Sequence, residues 1–372
     1  MIQQPNTTER EQIIEAVFSG GQAGYANDRR FEAYFKHYCS VVCPDSAGNA
    51  VLQLNTPALK SHSDVLKCIR ELTQNPRISF NDFIRKTVSS NLPQVTLTEK
   101  TYIARVATEV LIGINCTVTD FYSDTYLSNQ SQHKEWQGDT PFLSFLESAF
   151  KTETGHVSDT TRGQTFAEMV LHKKSLKAWK LHQRYGIEIK GTNNILEHLL
   201  LDGRTLKVFH QVSFLREHLK KTKHESLDLG FEESLKRGTL PPRLLLETLH
   251  TFHDILFPVM SVKDRKSLHT LKTMIKKQGF DSEGLWIEFV RKKPQDMSFE
   301  FWGDRLTKLY DAVRCPPPTN AMVAWFERHT SERNALTVAI IGVLLAVLFG
   351  FLSFVVGLLQ LILAWMAYCN QP

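Results

Sequence analysis

The sequence predicts a mainly α-helical chain: a multi-helix domain with one small β-hairpin, followed by one C-terminal transmembrane helix. Three observations carry this reading. Apolar residues recur at helical spacing through most of the chain before residue 315, with capping residues ahead of the runs and Gly or Pro behind them. One stretch, Leu199 to Phe209, instead sets two apolar runs around an Asp-Gly pair. From Ala335 to Cys369 there is no charged residue, and Gln360 is the only strongly polar one. A bilayer-spanning helix needs roughly 20 apolar residues.

The elements follow in order. Thr8-Glu9-Arg10-Glu11 has capping-box spacing and opens a helix towards Phe18 that Gly20-Gly21 stops. Ser63-Asp64 starts a segment through Leu72 that Pro76 closes, and Ser79 to Asp82 caps another to about Ser89. From Thr98 onward, Tyr102, Ile103, Val106, Val110, Leu111 and Ile114 recur as on a core helix. Residues 118–140 are polar and turn-rich and read as a loop, while Phe142 to Phe150 and Phe166 to Tyr185 read as helices. Ile187 to Lys190 alternates apolar and charged residues as a half-buried strand does; with the hairpin it makes three short strands and one small sheet. Pro241-Pro242 opens a helix through Leu256. Further helices fit Asp264 to Lys277, Phe299 to Val313, and Asn320 onward into the apolar run, with Pro316-Pro317-Pro318 as the linker.

Charge divides the chain. Residues 1–161, an N-terminal helical region, carry 14 Lys and Arg against 18 Asp and Glu, a net of −4. Residues 162–315 hold the hairpin and a basic block: positions 162–224 carry 13 against 5, a net of +8 that exceeds the whole chain's +5. The linker and a juxtamembrane helix take 316–334, and the span takes 335–368. Within the basic block Lys173, Lys177, Lys180 and Arg184 are spaced 4, 3 and 4, which stacks them on one helix face beside Leu176 and Trp179. Such a face suits anionic lipid, and it is also what an ordinary solvated surface looks like; nucleic acid is the weaker partner for a membrane-tethered domain.

The apolar run has its own pattern. Ala335, Ala339, Gly342, Ala346, Gly350, Ser353, Gly357, Gln360 and Ala364 follow at steps of four or three, eight steps over 29 residues, the period of a straight helix. Small residues in one stripe let two membrane helices approach closely, and a Gln can hydrogen-bond across, so a homo-oligomer is expected. The N-terminus has neither a basic nor an apolar signal region, which argues for a tail anchor. Arg328 and Arg333 precede the span and no Lys or Arg follows it, which places the N-terminal domain in the cytosol. The expected location is an endomembrane of the secretory pathway rather than a mitochondrial one.

Six cysteines without paired spacing suit a reducing compartment. His198, His210 and His218 converge if the hairpin folds back, and His198, Asp202 and His210 are the candidate polar cluster; His250 and His253 stand three apart on a helix, yet no motif marks a third ligand for zinc. Structural histidines are the plainer reading. No P-loop, dinucleotide fingerprint or nucleophile elbow occurs, and no cofactor is expected. The function expected is therefore a non-enzymatic interaction or adaptor module at a membrane surface. The alternative is a membrane-tethered enzyme acting on a lipid or lipid-like substrate.

The run Thr192-Asn193-Asn194-Ile195-Leu196-Glu197-His198-Leu199, then Leu206 to Gln211, Phe214-Leu215, Ile255 to Pro258 and Phe301-Trp302-Gly303-Asp304-Arg305-Leu306 resembles a family of filamentous-fungal (ascomycete) proteins with no assigned activity. The resemblance covers about residues 165–370, including the Arg-then-apolar ending, and implies a helical domain carrying a C-terminal membrane helix. In the family pattern an Asp stands at the position of Asn193 and a His at that of Gln211, so this chain departs from the pattern at both.

Overall fold

The computed structural model describes residues 2–18, 28–43, 59–87, 96–117, 135–150, 175–259, 264–288, 290–291, 294, 299–314 and 335–369, the last segment with side chains over 342–366 only. Met1–Val313 forms one compact unit and Arg314–Pro372 a second. The described residues hold thirteen α-helices and one three-stranded sheet.

The first unit opens with α1 (Thr7–Phe18) and α2 (Glu32–Val42). Next come α3 (His62–Gln74), α4 (Phe80–Thr87), α5 (Leu97–Ile112) and α6 (Phe142–Phe150). Three of these starts differ by two residues from the sequence expectation, for one reason. Asn6 rather than Thr8 caps α1, Ser61 caps α3 and Thr96 caps α5, each in a reciprocal box with the acid three residues on, Glu9, Asp64 and Glu99. The acid's return bond to the cap N–H selects the cap among neighbouring polar residues. Helix α5 ends on Gly113 at φ 66°, a left-handed stop that glycine adopts without a Cβ clash. Its core role is as expected: Ile103, Val106, Val110 and Leu111 are buried in the shared apolar core with α2, α3 and α4.

The expected helix from Phe166 to Tyr185 is described only from residue 175, and there it is shorter. Helix α7 spans Ala178–Tyr185, and Lys177 is its N-cap in extended conformation (ψ 134°). After Gly186 the chain enters β1 (Glu188–Thr192), then β2 (Leu200–Asp202) and β3 (Thr205–Phe209). The sheet order is β1-β3-β2. β2 and β3 form the expected hairpin, with Asp202 opposite Thr205 and Gly203 (φ 55°) at the first central turn position, where a type II′ turn takes glycine. β1 joins β3 in parallel, from Glu188 opposite Thr205 to Thr192 opposite Phe209.

Then follow α8 (Val212–Lys221), α9 (Phe231–Lys236) and α10 (Pro242–His250), which continues as a wider π turn over Thr251–Leu256. Helix α11 (Arg265–Gln278) is capped by Asp264, and α12 (Gly303–Arg314) closes the unit. Helix α12 starts four residues later than the sequence suggests, and the backbone N–H groups of Glu300, Phe301 and Trp302 ahead of it donate to Glu247 of α10. The second unit contributes α13 (Ala335–Cys369), whose side chains from 342 to 366 are all exposed. Gly342–Met366 is long and apolar enough to cross a membrane, as expected. The remainder of the 118–140 loop, the Phe166 helix start and the juxtamembrane segment after Asn320 lie outside the described residues.

Candidate functional site

The first polar junction sits where α12 begins. The Glu247 carboxylate is buried and accepts from Glu300 N (2.8 Å), Phe301 N (2.9 Å) and Trp302 N (3.2 Å). Burial pushes its pKa up to about 7, and the three N–H donors only partly offset that. Trp302 Nε1 donates to Thr248 Oγ1 (2.9 Å), which donates to Leu244 O (2.8 Å). His198 lies edge-on to the Trp302 ring. Its Nδ1 accepts from Phe209 N (3.2 Å), so Nε2 carries the proton and donates to Thr251 Oγ1 (2.6 Å). Burial, then the Arg305 charge, lowers the pKa of His198 to about 3. Arg305 Nη1 reaches both Leu196 O and His198 O at 2.6 Å, with its guanidinium 5.1 Å from the Trp302 ring centroid. The next residue, Leu199, has φ 59°, unfavourable for a branched side chain. Arg305 therefore braces the two carbonyls just ahead of a strained residue.

The second junction lies where β1, β3, α8 and the Ser282–Leu285 turn meet. Asp281 Oδ2 accepts from Ser213 N and Ser213 Oγ, both at 2.7 Å, and Oδ1 accepts from Glu283 N (3.0 Å). One carboxylate thus satisfies the first turn of α8 and caps the Ser282–Leu285 turn. His210 Nδ1 accepts from Asp281 N (3.2 Å), and its ring stacks on Phe280 at 5.0 Å. Gly191 passes so close that a Cβ there would lie 2.7 Å from Phe280 and 2.8 Å from His210. Gln211 Nε2 donates to Asn193 Oδ1 (2.8 Å) and Ala33 O (3.3 Å), leaving Gln211 Oε1 buried without a partner. Arg216, 3% exposed, donates from Nη2 to Glu283 O (3.1 Å) and Trp286 O.

These junctions correct the expected polar cluster. Asp202 is exposed at the hairpin turn, while His198 and His210 are buried in separate junctions. The three side chains share no hydrogen bond or ion pair among the described residues. No group of three His, Cys, Asp or Glu with metal-binding geometry occurs among the described residues either. An open cleft of about 370 Å³ lies beside Phe80, Leu97, Tyr102, Arg105 and Trp136. Three of its polar groups are committed: Tyr102 OH to Val41 O, Arg105 Nε to Glu109, Trp136 Nε1 to Thr140 O.

The basic face changes membership. Lys173 lies outside the described residues. Lys177 stands ahead of α7 rather than on it, and its ammonium pairs with Asp264, 7% exposed at the head of α11. Lys180 and Arg184 remain on α7 and flank the Trp179 ring, joined there by Lys266 of α11. Helix α11 carries five Lys or Arg and no acid, a signal present in the sequence but diluted by the acids elsewhere in 225–372. The small-residue stripe lies on one unbroken helix, and its members from Gly342 to Ala364 are exposed. No protein-family model, curated protein or solved structure matches this chain.

Proposed function

We propose that this chain is a single-pass membrane protein whose helical domain faces the cytosol of an endomembrane and works as a non-enzymatic interaction module. In this reading the small stripe from Ala335 to Ala364 pairs two copies. The observation that carries it is α13: 35 residues without a charge, fully exposed wherever side chains are described. In water such a surface has no stable partner-free state, whereas hydrocarbon satisfies it. The two junctions fit the non-enzymatic half of the reading, since Glu247, His198 and Asp281 spend their hydrogen bonds joining elements. The resemblance to fungal proteins fits as well. The positions where that pattern carries Asp and His are here a neutral amide pair, Asn193 and Gln211, bonded to each other.

Alkaline carbonate extraction of cell membranes, combined with protease protection of intact vesicles, tests this. The full chain should stay in the pellet, and the domain should be digested from the cytosolic side. Release into the supernatant overturns the membrane reading, and protection of the domain overturns its orientation. Loss of proximity-dependent self-crosslinking on Gly342→Ile with Gly350→Ile tests the pairing.

A further inference from the structure

Helices α7 and α11 pack on one another and carry a one-signed surface. Two Lys or Arg lie on α7 and five on α11, with no Asp or Glu on either. On α11, Ser267, Leu271 and Met274 face inward, while Arg265, His269, Lys272 and Lys276, spaced four, three and four, are exposed on the opposite side. At the seam lies Trp179, with Lys266 Nζ 4.6 Å, Lys180 Nζ 5.6 Å and Arg184 Cζ 5.7 Å from its ring centroid. The acids that border this face are already engaged: Asp264 with Lys177, and Glu188 with Lys190 at 3.8 Å.

We propose that the α7–α11 face docks on anionic phospholipid headgroups of the membrane that holds α13. The proposal rests on the membrane reading above and names the partner of the domain's surface. Charge complementarity is the first argument: an anionic leaflet attracts each nearby Lys or Arg by roughly a factor of five. The second is the tether. Twenty residues, 315–334, separate α12 from α13, so the domain stays within about 70 Å of the bilayer. Headgroups then stand at a high effective concentration that a diffusing polyanion does not match. The third is chemistry. Four of the five basic residues on α11 are Lys, point charges suited to a diffuse headgroup field rather than to bidentate reading of a fixed phosphate. Trp179 supplies the side chain that favours the interface.

The test uses the full chain in nanodiscs of phosphatidylcholine, alone or with about 30% phosphatidylserine, read by backbone hydrogen exchange. Amides of 178–185 and 265–278 should exchange at least about fivefold more slowly on the anionic discs. The protection should vanish in roughly 0.5 M salt and in a variant carrying Arg265→Glu, Lys266→Glu, Lys272→Glu and Lys276→Glu. If exchange in α5 shows that variant to be unfolded, the Gln versions of the same four replace it. Equal exchange on both lipids overturns the proposal and leaves the membrane reading standing. So does protection by added RNA or an acidic peptide on neutral discs without an effect of anionic lipid. Failure of the chain to enter discs at all overturns both.

Discussion

Glu247 accepts the backbone N–H of Trp302 at 3.2 Å, and the same carboxylate takes the N–H groups of the two preceding residues. All three N–H groups lie just ahead of α12, which begins at Gly303. The approach to that helix is therefore fixed by a tertiary contact from α10.

Removing that acceptor should therefore cost more than losing an ordinary cap. Glu247→Ala leaves three N–H donors facing a buried void and should destabilise the full chain by about 3 kcal/mol or more. Glu247→Gln keeps one carbonyl oxygen and should cost roughly half as much. Denaturant unfolding of the chain in detergent gives both values; an Ala variant as stable as wild type would show the contact to be incidental.

Gly191→Ala probes the second junction. Its Cβ would press on the His210–Phe280 stack at 2.7–2.8 Å, and both rings are buried, so neither moves cheaply. Overpacking of this kind costs typically 1–3 kcal/mol. The same change at Gly230, where a Cβ meets nothing within 4 Å, serves as the control. Equal melting temperatures for the two variants would sink the close-approach argument.

Lys177 and Asp264 should respond unequally. Each change leaves one charge of the pair without its counterion, Lys177→Met the Asp264 carboxylate and Asp264→Ala the Lys177 ammonium, but Asp264→Ala also removes the cap on Ser267 N (3.2 Å). The Asp change should cost about 1 kcal/mol more than the Lys change, the contribution of the cap. Matching losses in thermal unfolding would mean that the cap contributes nothing.

Stability should fall as pH drops below 6.5. Burial lowers His37 and His210 to about 4, His198 and His253 to about 3, and His218 well below its ordinary value. Each folded pKa lies under the unfolded one, so below pH 6.5 the unfolded chain binds more protons and each histidine's contribution is lost on acidification. Glu247 works the other way: its folded pKa of about 7 exceeds the unfolded 4.5, and its contribution grows as pH falls through that window. Glu109 and Asp281, also raised by burial, add to that side. The histidines still outnumber the acids. At about 1.4 kcal/mol per pH unit for each net proton, the loss from pH 6.5 to 5 should reach at least about 2 kcal/mol. Urea midpoints across that range decide it, and a midpoint that rises on acidification contradicts the count.

Helix α6 has the bounds its apolar pattern indicates, and the hairpin follows from Asp202-Gly203, because both depend on neighbours in the chain. The α3 cap is harder to read: Ser61 and Ser63 are alike, and only the return bond from Asp64 separates them. The parallel pairing of β1 with β3, the anchoring of residues 300–302 on Glu247 and the pairing of Lys177 with Asp264 each depend on a partner far along the sequence. Local periodicity carries no record of such a partner. The site shows the same division. His198 and His210 are visible as histidines, but their assignment to separate junctions comes from Thr251 and Asp281.

Helix α12 is bolted at Trp302, just ahead of it, and at Arg305 in its first turn, while the chain departs for α13 from its far end at Arg314. That far end is buried as well, through Leu309, Tyr310 and Val313. A pull on the membrane helix therefore reaches the apolar core of the domain directly, with no loose turn between the tether and the packing that holds the fold.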